Sequence, residues 1–239
     1  MKAFLAAFVA AATLAAGMLT PTTAVPRPAA AAATTTPLPS RTPPRHIPPA
    51  NWTVLPLGDS ITLGVASTDG TGYRGPLHAL LPTLTFVGSQ GAAPLLHEGH
   101  SGWRIDQLLA IAPGILTTFR PAFVLLHAGT NDTVQGFPAS TMLTNMAALL
   151  DAIHTASPGT VTYVALISIT PYAGAAQQGQ EAAFNAGIPA LAAARQPWVT
   201  VVDVRLQASD LKDGVHPNDT GYAKMAQLWA AALPEVRAS

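Results

Sequence analysis

Five short apolar runs follow residue 50, and most of them end next to a glycine or a proline. They lie at residues 53–57, 84–87, 123–127, 160–169 and 199–204. Strands with one face in water alternate polar and apolar residues, whereas continuous apolar runs of this length are typical of strands buried on both faces. The pattern therefore predicts a five-stranded sheet in the core of the protein.

Segments with helical spacing separate these runs. They lie at residues 73–81, 105–112, 140–155, 177–195 and 219–233. The clearest is the third, whose apolar residues fall on one helical face: Met142, Leu143, Met146, Leu149, Leu150 and Ile153. In the Ala-rich fourth segment we expect Gly187 and Pro189 to interrupt the helix. Asn218 or Asp219 is available as the N-cap of the last helix.

Predicted strands and helices alternate along the chain. This order predicts an α/β fold with parallel strands, right-handed crossovers and helices on both faces of the sheet. Ligands bind such sheets at the carboxyl ends of the strands. Polar residues directly after the apolar runs are therefore the candidates for chemistry, because the sheet would bring them together.

The first fifty residues differ in composition from the rest of the chain. Lys2 precedes an apolar run of seventeen residues over 3–19, and proline, threonine and alanine dominate from there to residue 50. We predict a signal peptide over 1–24, a disordered linker over 25–50 and one folded domain over 51–239. The alternative for the apolar run is an uncleaved membrane anchor. The prediction is a secreted, extracellular protein with no stable membrane association after signal cleavage.

Charge and cysteine content exclude several classes of function. From residue 51 onward the chain has eight Lys/Arg and twelve Asp/Glu, a net charge near −4, with no basic run. Such a surface is unsuited to phosphates, so we expect no nucleic-acid partner. The chain has no cysteine, which excludes thiol catalysis and thiolate metal ligands. We further expect a monomer that uses no cofactor.

Two polar motifs have the residue types of a nucleophile and its base. Ser60 lies in GDSIT, directly after the first apolar run, and His216 lies in DGVHP, after the fifth. A serine hydroxyl becomes a nucleophile when a base takes its proton, and histidine is suited to this at neutral pH. Asp213 can fold back across a glycine to hold the other ring nitrogen. The structural alternatives are a turn serine and an Asx-type turn with an ordinary surface histidine.

Two further segments contain possible donors for a developing oxyanion. Asn131 lies in GTND after the third run, and Gly102 lies in HSGW in the loop after the second. Acyl transfer places negative charge on the carbonyl oxygen, and fixed donors aimed at that oxygen are usually the largest catalytic contribution. The backbone N–H groups of Ser60 and Gly102 and the amide of Asn131 would supply three donors.

Taken in order, GDSIT, the glycine of HSGW, GTND and DGVHP resemble blocks I, II, III and V of the SGNH/GDSL hydrolases. The resemblance covers the chain from about residue 57 to 217. It implies a three-layer α/β/α, flavodoxin-like fold with the parallel sheet predicted above. It also implies that Ser60 is the nucleophile, that Asp213 and His216 are the acid and base, and that Ser60, Gly102 and Asn131 form the oxyanion hole.

Two loop sequences, TLGVASTDGTGYRGPL and EGHSGWRIDQL, are similar to the carbohydrate esterases of family 3, many of which deacetylate xylan. This similarity favours a secreted acetyl esterase acting on plant polysaccharide. Trp103 would then bind substrate, either by stacking on a sugar or by lining a small acyl pocket, and a packing role under a loop is the alternative. The competing functions are a lipolytic or thioester-cleaving member of the same family and a non-catalytic carbohydrate- or wall-binding protein.

Other titratable residues have structural explanations. His97 and His100 are three positions apart, but the zinc-hydrolase motif H-E-x-x-H is absent, so we expect no metal site. His127 is expected to be a hydrogen-bonded polar residue beneath the site rather than a second base. Asp59 should accept backbone hydrogen bonds around Ser60. Asp106 is expected to act as a first-turn helix charge, and Arg74 to be solvated or salt-bridged.

Overall fold

The computed structural model describes residues 52–234. Within this part the strands are β1 (Thr53–Gly58), β2 (Thr85–Phe86), β3 (Glu98–Gly99), β4 (Phe123–His127), β5 (Val161–Leu166) and β6 (Val199–Asp203). Every strand pair is parallel. The predicted signal peptide and linker lie outside the described residues.

The strand order across the sheet is β2–β1–β4–β5–β6, and β3 also pairs with β1. β2 pairs with the start of β1 and β3 with its end, so these two short strands share one edge of β1. The five predicted runs are confirmed as the five positions across the sheet, in the flavodoxin-like order. The sequence does not predict β3, because a two-residue strand that includes Glu98 has no apolar run.

The α-helices of residues 52–234 are α1 (Ser60–Leu63), α2 (Arg74–Leu80), α3 (Ile105–Phe119), α4 (Thr130–Val134), α5 (Ala139–Ala156), α6 (Ala175–Ala193) and α7 (Asp219–Ala232). All five predicted helices are present, and the Asn218 side chain caps α7 by accepting the Gly221 N–H. The sequence does not predict α1 and α4, because single turns are too short for a periodic pattern. None of these helices is long and apolar enough to cross a bilayer.

The predicted interruption of α6 is wrong. The helix runs through Gly187 and Pro189 without a break. Glycine at 187 allows α5 to approach closely, since a Cβ there would lie 2.4 Å from Leu143 Cδ1. Ile188 is fully buried beside the proline, so tertiary packing offsets the hydrogen bond that Pro189 removes. Helix α3 is longer than predicted, since it ends at Phe119 rather than at residue 112.

The hydrophobic core has two halves, one on each face of the sheet. Helices α3, α5 and α6 pack on one face against strand residues that include Leu55 and Leu126. Helices α2 and α7 pack on the other face, against residues that include Val54 and Leu125. Neighbouring residues of one strand enter opposite halves, because successive side chains point to opposite faces. This arrangement confirms the predicted three-layer α/β/α fold.

The strand order reverses between β1 and β4. The connection after β1 passes through α2 on one face of the sheet, and the connection after β4 passes through α5 on the other. Gly58 and His127, which end these two strands, are paired in register. A crevice between diverging connections is where ligands bind in open parallel sheets. Ser60 and Asn131 both follow this point.

Candidate active site

Ser60 is the first residue of α1, directly beyond the carboxyl end of β1. Asp59 caps the turn, and its Oδ1 accepts the Ile61 N–H at 2.9 Å, as predicted for a structural carboxylate. Backbone N–H groups in the first turn of a helix have no intrahelical acceptor. The strand–turn–helix geometry therefore places both the Ser60 hydroxyl and its backbone N–H at the edge of the sheet.

His216 comes from a loop between β6 and α7. Within this loop, Leu211 and Pro217 pair as an isolated antiparallel bridge, which closes the turn that carries Asp213 and His216. Its tip turns at Gly214, whose φ of 88° lies in the region that favours glycine. Asp213 Oδ1 accepts the N–H of Val215 at 3.0 Å and that of His216 at 2.8 Å. One carboxylate oxygen thus fixes the shape of the loop that presents the histidine.

One chain of hydrogen bonds joins Ser60, His216 and Asp213. Ser60 Oγ lies 3.0 Å from His216 Nε2 across 156 positions of sequence, and His216 Nδ1 lies 2.8 Å from Asp213 Oδ2. Partial burial acts to raise the pKa of Asp213, but hydrogen bonds from the backbone and ring of His216 and from Val215 N–H outweigh it and lower the pKa to about 2. An ionised Asp213 can orient the imidazole and stabilise its protonated form.

Helix α7 fastens the His216 loop to the segment that follows Ser60. Asp219, the first residue of α7, accepts the Thr68 N–H at 2.8 Å and the Thr68 hydroxyl at 2.6 Å. The Tyr222 hydroxyl donates to Val65 O at 2.7 Å. These bonds join the residues just beyond Ser60 to those just beyond His216, and they hold the two sides of the hydrogen-bond chain together.

Asn131 and Gly102 reach the same end of the sheet. Asn131 Nδ2 donates to Trp103 O at 2.9 Å and lies 3.4 Å from Asp59 Oδ2, so it contacts the neighbours of both Gly102 and Ser60. Gly102 has a φ of 80°, and a Cβ there would meet nothing within 4 Å, so its backbone conformation rather than lack of space favours glycine. The oxyanion-hole roles of these residues stay a prediction.

Residues 57–224 match the sequence profile of the GDSL-like Lipase/Acylhydrolase family. The chain belongs to this family. The resemblance inferred from the four motifs is therefore confirmed. The matched range begins just before the Ser60 turn and ends within α7, so it includes every residue of the hydrogen-bond chain.

Relatives of this GDSL-like hydrolase include esterases. It is 28% identical over 215 residues to a multidomain esterase from Ruminococcus flavefaciens, and the match spans 74% of this chain but only 28% of that protein. It is similar to the family 3 carbohydrate esterase of Clostridium thermocellum, with 30% identity, a TM-score of 0.64, and coverage of 75% of this chain and 94% of that one. A family 3 carbohydrate esterase from Talaromyces cellulolyticus, 24% identical, has the same fold with a TM-score of 0.66, and 75% of this chain covers 94% of it.

Asp132 of this GDSL-like hydrolase has a role that the sequence does not reveal. It is fully buried, and its Oδ2 accepts the Ile105 N–H at the start of α3 at 3.1 Å. Burial raises the pKa of Asp132 to about 6, against the opposing effect of that hydrogen bond. Asp132 thereby ties the Asn131 turn to the helix that follows the Gly102 loop. No sequence signal predicts which backbone N–H it caps.

Asp59 and His127 form a buried pair beneath Ser60. His127 Nδ1 lies 4.0 Å from Asp59 Oδ1 and has no hydrogen-bond partner, so the expectation of a hydrogen-bonded histidine is wrong for this nitrogen. Burial lowers the pKa of His127 to about 4. Burial raises the pKa of Asp59 to about 7, against the opposing hydrogen bond from Ile61. Burial thus favours the neutral form of both groups.

The histidines before Trp103 are engaged in separate contacts. His97 Nδ1 accepts the Gly99 N–H at 2.9 Å, and His100 Nε2 lies 3.1 Å from Glu98 Oε2. The Trp103 indole stacks on the His100 ring with 4.1 Å between centroids. Between residues 52 and 234 there is no group of three or more His, Cys, Asp or Glu side chains that could hold a metal ion.

The expectation of a solvated or salt-bridged Arg74 is wrong. Its guanidinium is buried and donates to Thr62 O at 3.1 Å, Leu63 O at 2.9 Å, Gly70 O at 3.2 Å and also Leu95 O. Four backbone carbonyls thus satisfy this cation, and together they hold the end of α1 against two loops. Asp106, as predicted, is a first-turn charge of α3, and it pairs with Arg104.

Proposed function

We propose that this chain is a secreted serine esterase that removes small acyl groups, such as acetyl, from carbohydrate esters. The observation that supports the proposal most directly is the hydrogen-bond chain from Ser60 Oγ through His216 to Asp213, with distances of 3.0 and 2.8 Å. A protein that only binds carbohydrate does not require such a relay. The relay therefore favours an enzyme over a carbohydrate- or wall-binding protein.

Acylation begins when His216 Nε2 takes the Ser60 proton as Oγ attacks the ester carbonyl carbon. The tetrahedral oxyanion accepts hydrogen bonds from the Ser60 and Gly102 N–H groups and from Asn131 Nδ2. Protonated His216, stabilised by Asp213, then gives its proton to the leaving alcohol, and an acyl-Ser60 remains. His216 next deprotonates a water that attacks this acyl-enzyme, and the departing Ser60 Oγ regains its proton as the acid is released.

Two hydrogen bonds hold the Asn131 amide, which supports its proposed part in this scheme. Nδ2 donates one hydrogen to Trp103 O at 2.9 Å and the other, over a longer 3.4 Å, to Asp59 Oδ2, and an oxyanion would accept the hydrogen that makes the longer bond. A fixed donor has no reorganisation to undergo when charge develops, and this is the source of its catalytic value.

The substrate class follows from similarity and is part of the proposal. The structure that is 30% identical to this chain is a family 3 carbohydrate esterase, which supports an acylated polysaccharide such as acetylated xylan, or its oligosaccharides. The lipolytic alternative requires an apolar channel for a long acyl chain. Activity against esters of increasing chain length separates the two.

Secretion is supported by the sequence alone. The apolar run over 3–19 and the small residues after it fit a cleaved signal peptide. Expression in an export-competent host, followed by N-terminal sequencing of protein from the medium, tests it. A mature N-terminus near residue 25 is the expected result, and retention of residues 1–24 in the membrane fraction contradicts it.

The first test compares hydrolysis of p-nitrophenyl acetate, butyrate and octanoate by the wild-type chain and by Ser60→Ala. We expect rates that fall with chain length and a loss of kcat by at least about a thousandfold in the variant. Ser140→Ala, which changes an exposed serine on α5, is the matched control and keeps wild-type rates. A rate that peaks at octanoate moves the proposal to the lipolytic reaction, and activity that survives in Ser60→Ala refutes the nucleophile.

A further inference from the structure

Tyr172 is the most exposed large apolar side chain in the part of the chain that the structure describes. It is 82% exposed, and the next, Val134, is 55% exposed. Single exposed apolar residues are common on protein surfaces, so exposure alone identifies no site. Tyr172, however, lies beside the hydrogen-bond chain of Ser60, His216 and Asp213, where an exposed aromatic ring can contact a substrate.

The Tyr172 ring lies against the loop that presents His216. A Cβ built on Gly214 would lie 2.5 Å from Tyr172 Cδ2 and 3.0 Å from Cε2. Gly214 is buried although its neighbour Asp213 is exposed. Tyr172 therefore contacts the residue that lies between Asp213 and His216 in the loop, and most of the Tyr172 side chain is open to solvent.

The segment that carries Tyr172 is anchored from below. Thr170 is buried, and its N–H and hydroxyl donate to the Glu181 carboxylate at 2.9 and 2.7 Å. Gln178 Nε2 donates to Thr170 O at 3.1 Å and to Pro171 O at 3.3 Å. The backbone on the N-terminal side of Tyr172 is thus fixed before any ligand arrives, which lowers the entropic cost of binding against the ring.

The proposed mechanism determines which part of the substrate lies near Tyr172. His216 gives its proton to the leaving alcohol, so the alcohol lies on the His216 side of Ser60. The carbonyl oxygen of the ester lies on the other side, next to Gly102 and Asn131. Tyr172 lies on the side of the leaving alcohol because it contacts the His216 loop. Trp103 lies on the side of the carbonyl oxygen because its backbone carbonyl accepts a hydrogen bond from Asn131.

We propose that Tyr172 is a specificity-determining residue that stacks on the sugar ring of the leaving alcohol. This inference rests on the proposed function. A pyranose has a C–H face that suits an aromatic ring and hydroxyl groups that stay in water, so it matches an open platform. An acyl chain gains little from a surface that leaves it in water, because its binding depends on the apolar area that is buried.

The test measures how strongly the enzyme prefers an ester of a sugar to an ester of an alcohol without a ring. Acetate release is followed from acetylated xylo-oligosaccharide and from ethyl acetate, whose leaving alcohol has no ring. In Tyr172→Ala the ratio of the two kcat/KM values falls about tenfold, through KM for the oligosaccharide, as expected for the loss of one stacking contact. Tyr172→Phe retains the ratio, because stacking does not require the hydroxyl. Leu80→Ala, which shortens a side chain that is 49% exposed on α2, is the control for loss of exposed apolar surface and also retains it.

The outcomes distinguish this inference from the proposed function. If the wild-type enzyme cleaves ethyl acetate but releases nothing from the oligosaccharide, the carbohydrate substrate is refuted and the platform with it. If the wild-type enzyme cleaves both and Tyr172→Ala keeps the same ratio, the platform alone is refuted. An equal loss on both substrates is one such result, and it assigns Tyr172 to holding the Gly214 turn.

Discussion

The two carboxylate oxygens of Asp213 bind different partners. Oδ1 accepts two backbone N–H groups and shapes the loop, while Oδ2 accepts the His216 ring at 2.8 Å. Because the pKa of Asp213 is lowered to about 2, its charge is retained through the whole pH range in which such an esterase would be assayed. The effect of Asp213 on the shape of the loop and the effect of its charge on His216 can therefore be separated by substitution.

In Asp213→Asn the amide oxygen can still accept the backbone bonds, but an N–H₂ replaces the acceptor for His216 Nδ1. We expect a fall in kcat of about a thousandfold or more, with little change in thermal stability, because the wrong imidazole tautomer is favoured. Asp213→Ala should lower both kcat and the melting temperature, since it also removes the turn. Steady-state kinetics and thermal denaturation of the two variants provide the measurement, and an asparagine variant with near-wild-type kcat argues against the assigned acid.

Among single residues, the sequence predicted those that belong to a short motif, and it did not predict the roles of those whose partners are backbone groups of other segments. Ser60, Asp213 and His216 were recognisable from their own short motifs, and the structure brings them together. Arg74 binds backbone carbonyls of the segments around it, and Asp132 binds a backbone N–H of another helix, and no spacing rule says which carbonyl or N–H will be near. The exposure of Tyr172 likewise depends on how the loop after β5 is held.

At the scale of elements, Glu181 connects three segments around the site. Its carboxylate accepts Thr170 N–H and hydroxyl at 2.9 and 2.7 Å, Thr133 Oγ1 in α4 at 3.2 Å and Gln177 Nε2 in α6 at 3.2 Å. Helix α6, the turn that carries Asn131 and the loop that carries Tyr172 thus share one buried group. The sequence predicted α6 but not this connection, because a glutamate in a helix is usually exposed.

Glu181→Gln tests this connection. The amide has one acceptor oxygen and an N–H₂ that must face donors, so we expect the free energy of unfolding to fall by about 1–3 kcal/mol. Gln177→Ala, which removes only one donor from the same carboxylate, should cost less than about 1 kcal/mol. Urea denaturation of both variants gives the comparison. If Glu181→Gln is as stable as the wild type, the carboxylate does not hold these segments together.

Across the whole molecule, buried titratable groups make stability depend on pH. Burial raises the pKa of Asp59 from 3.8 to about 7, so between these values the folded state binds more protons than the unfolded state. Stability from this group is therefore lost as pH rises through the interval. Asp132, with its pKa raised to about 6, acts in the same direction. His127, with its pKa lowered from 6.5 to about 4, acts in the opposite direction, because its unfolded state binds the extra proton.

Asp59→Asn removes one of these titrations and keeps an oxygen that can accept the Ile61 N–H. From pH 5 to pH 8 the Asp59 titration lowers the unfolding free energy of the wild type. In Asp59→Asn this loss is absent, so relative to the wild type the variant should lose about 1–3 kcal/mol less over this interval. Asp106→Asn is the control: pairing with Arg104 lowers the pKa of Asp106, so it is ionised in both states over this range. Chemical denaturation at the two pH values measures the shift, and parallel pH profiles for wild type and Asp59→Asn contradict it.

The separation of 156 positions between Ser60 and His216 also has a meaning in time. The ribosome makes Ser60, the nucleophile of the proposed mechanism, long before it makes His216, the proposed base. The residues Asp219 and Tyr222, whose hydrogen bonds join the two segments, are made later still. A nascent chain of this enzyme therefore has no competent serine before α7 has been synthesised. Ser60 becomes reactive only when α7 docks, so the appearance of a reactive Ser60 marks the completed folding of this domain.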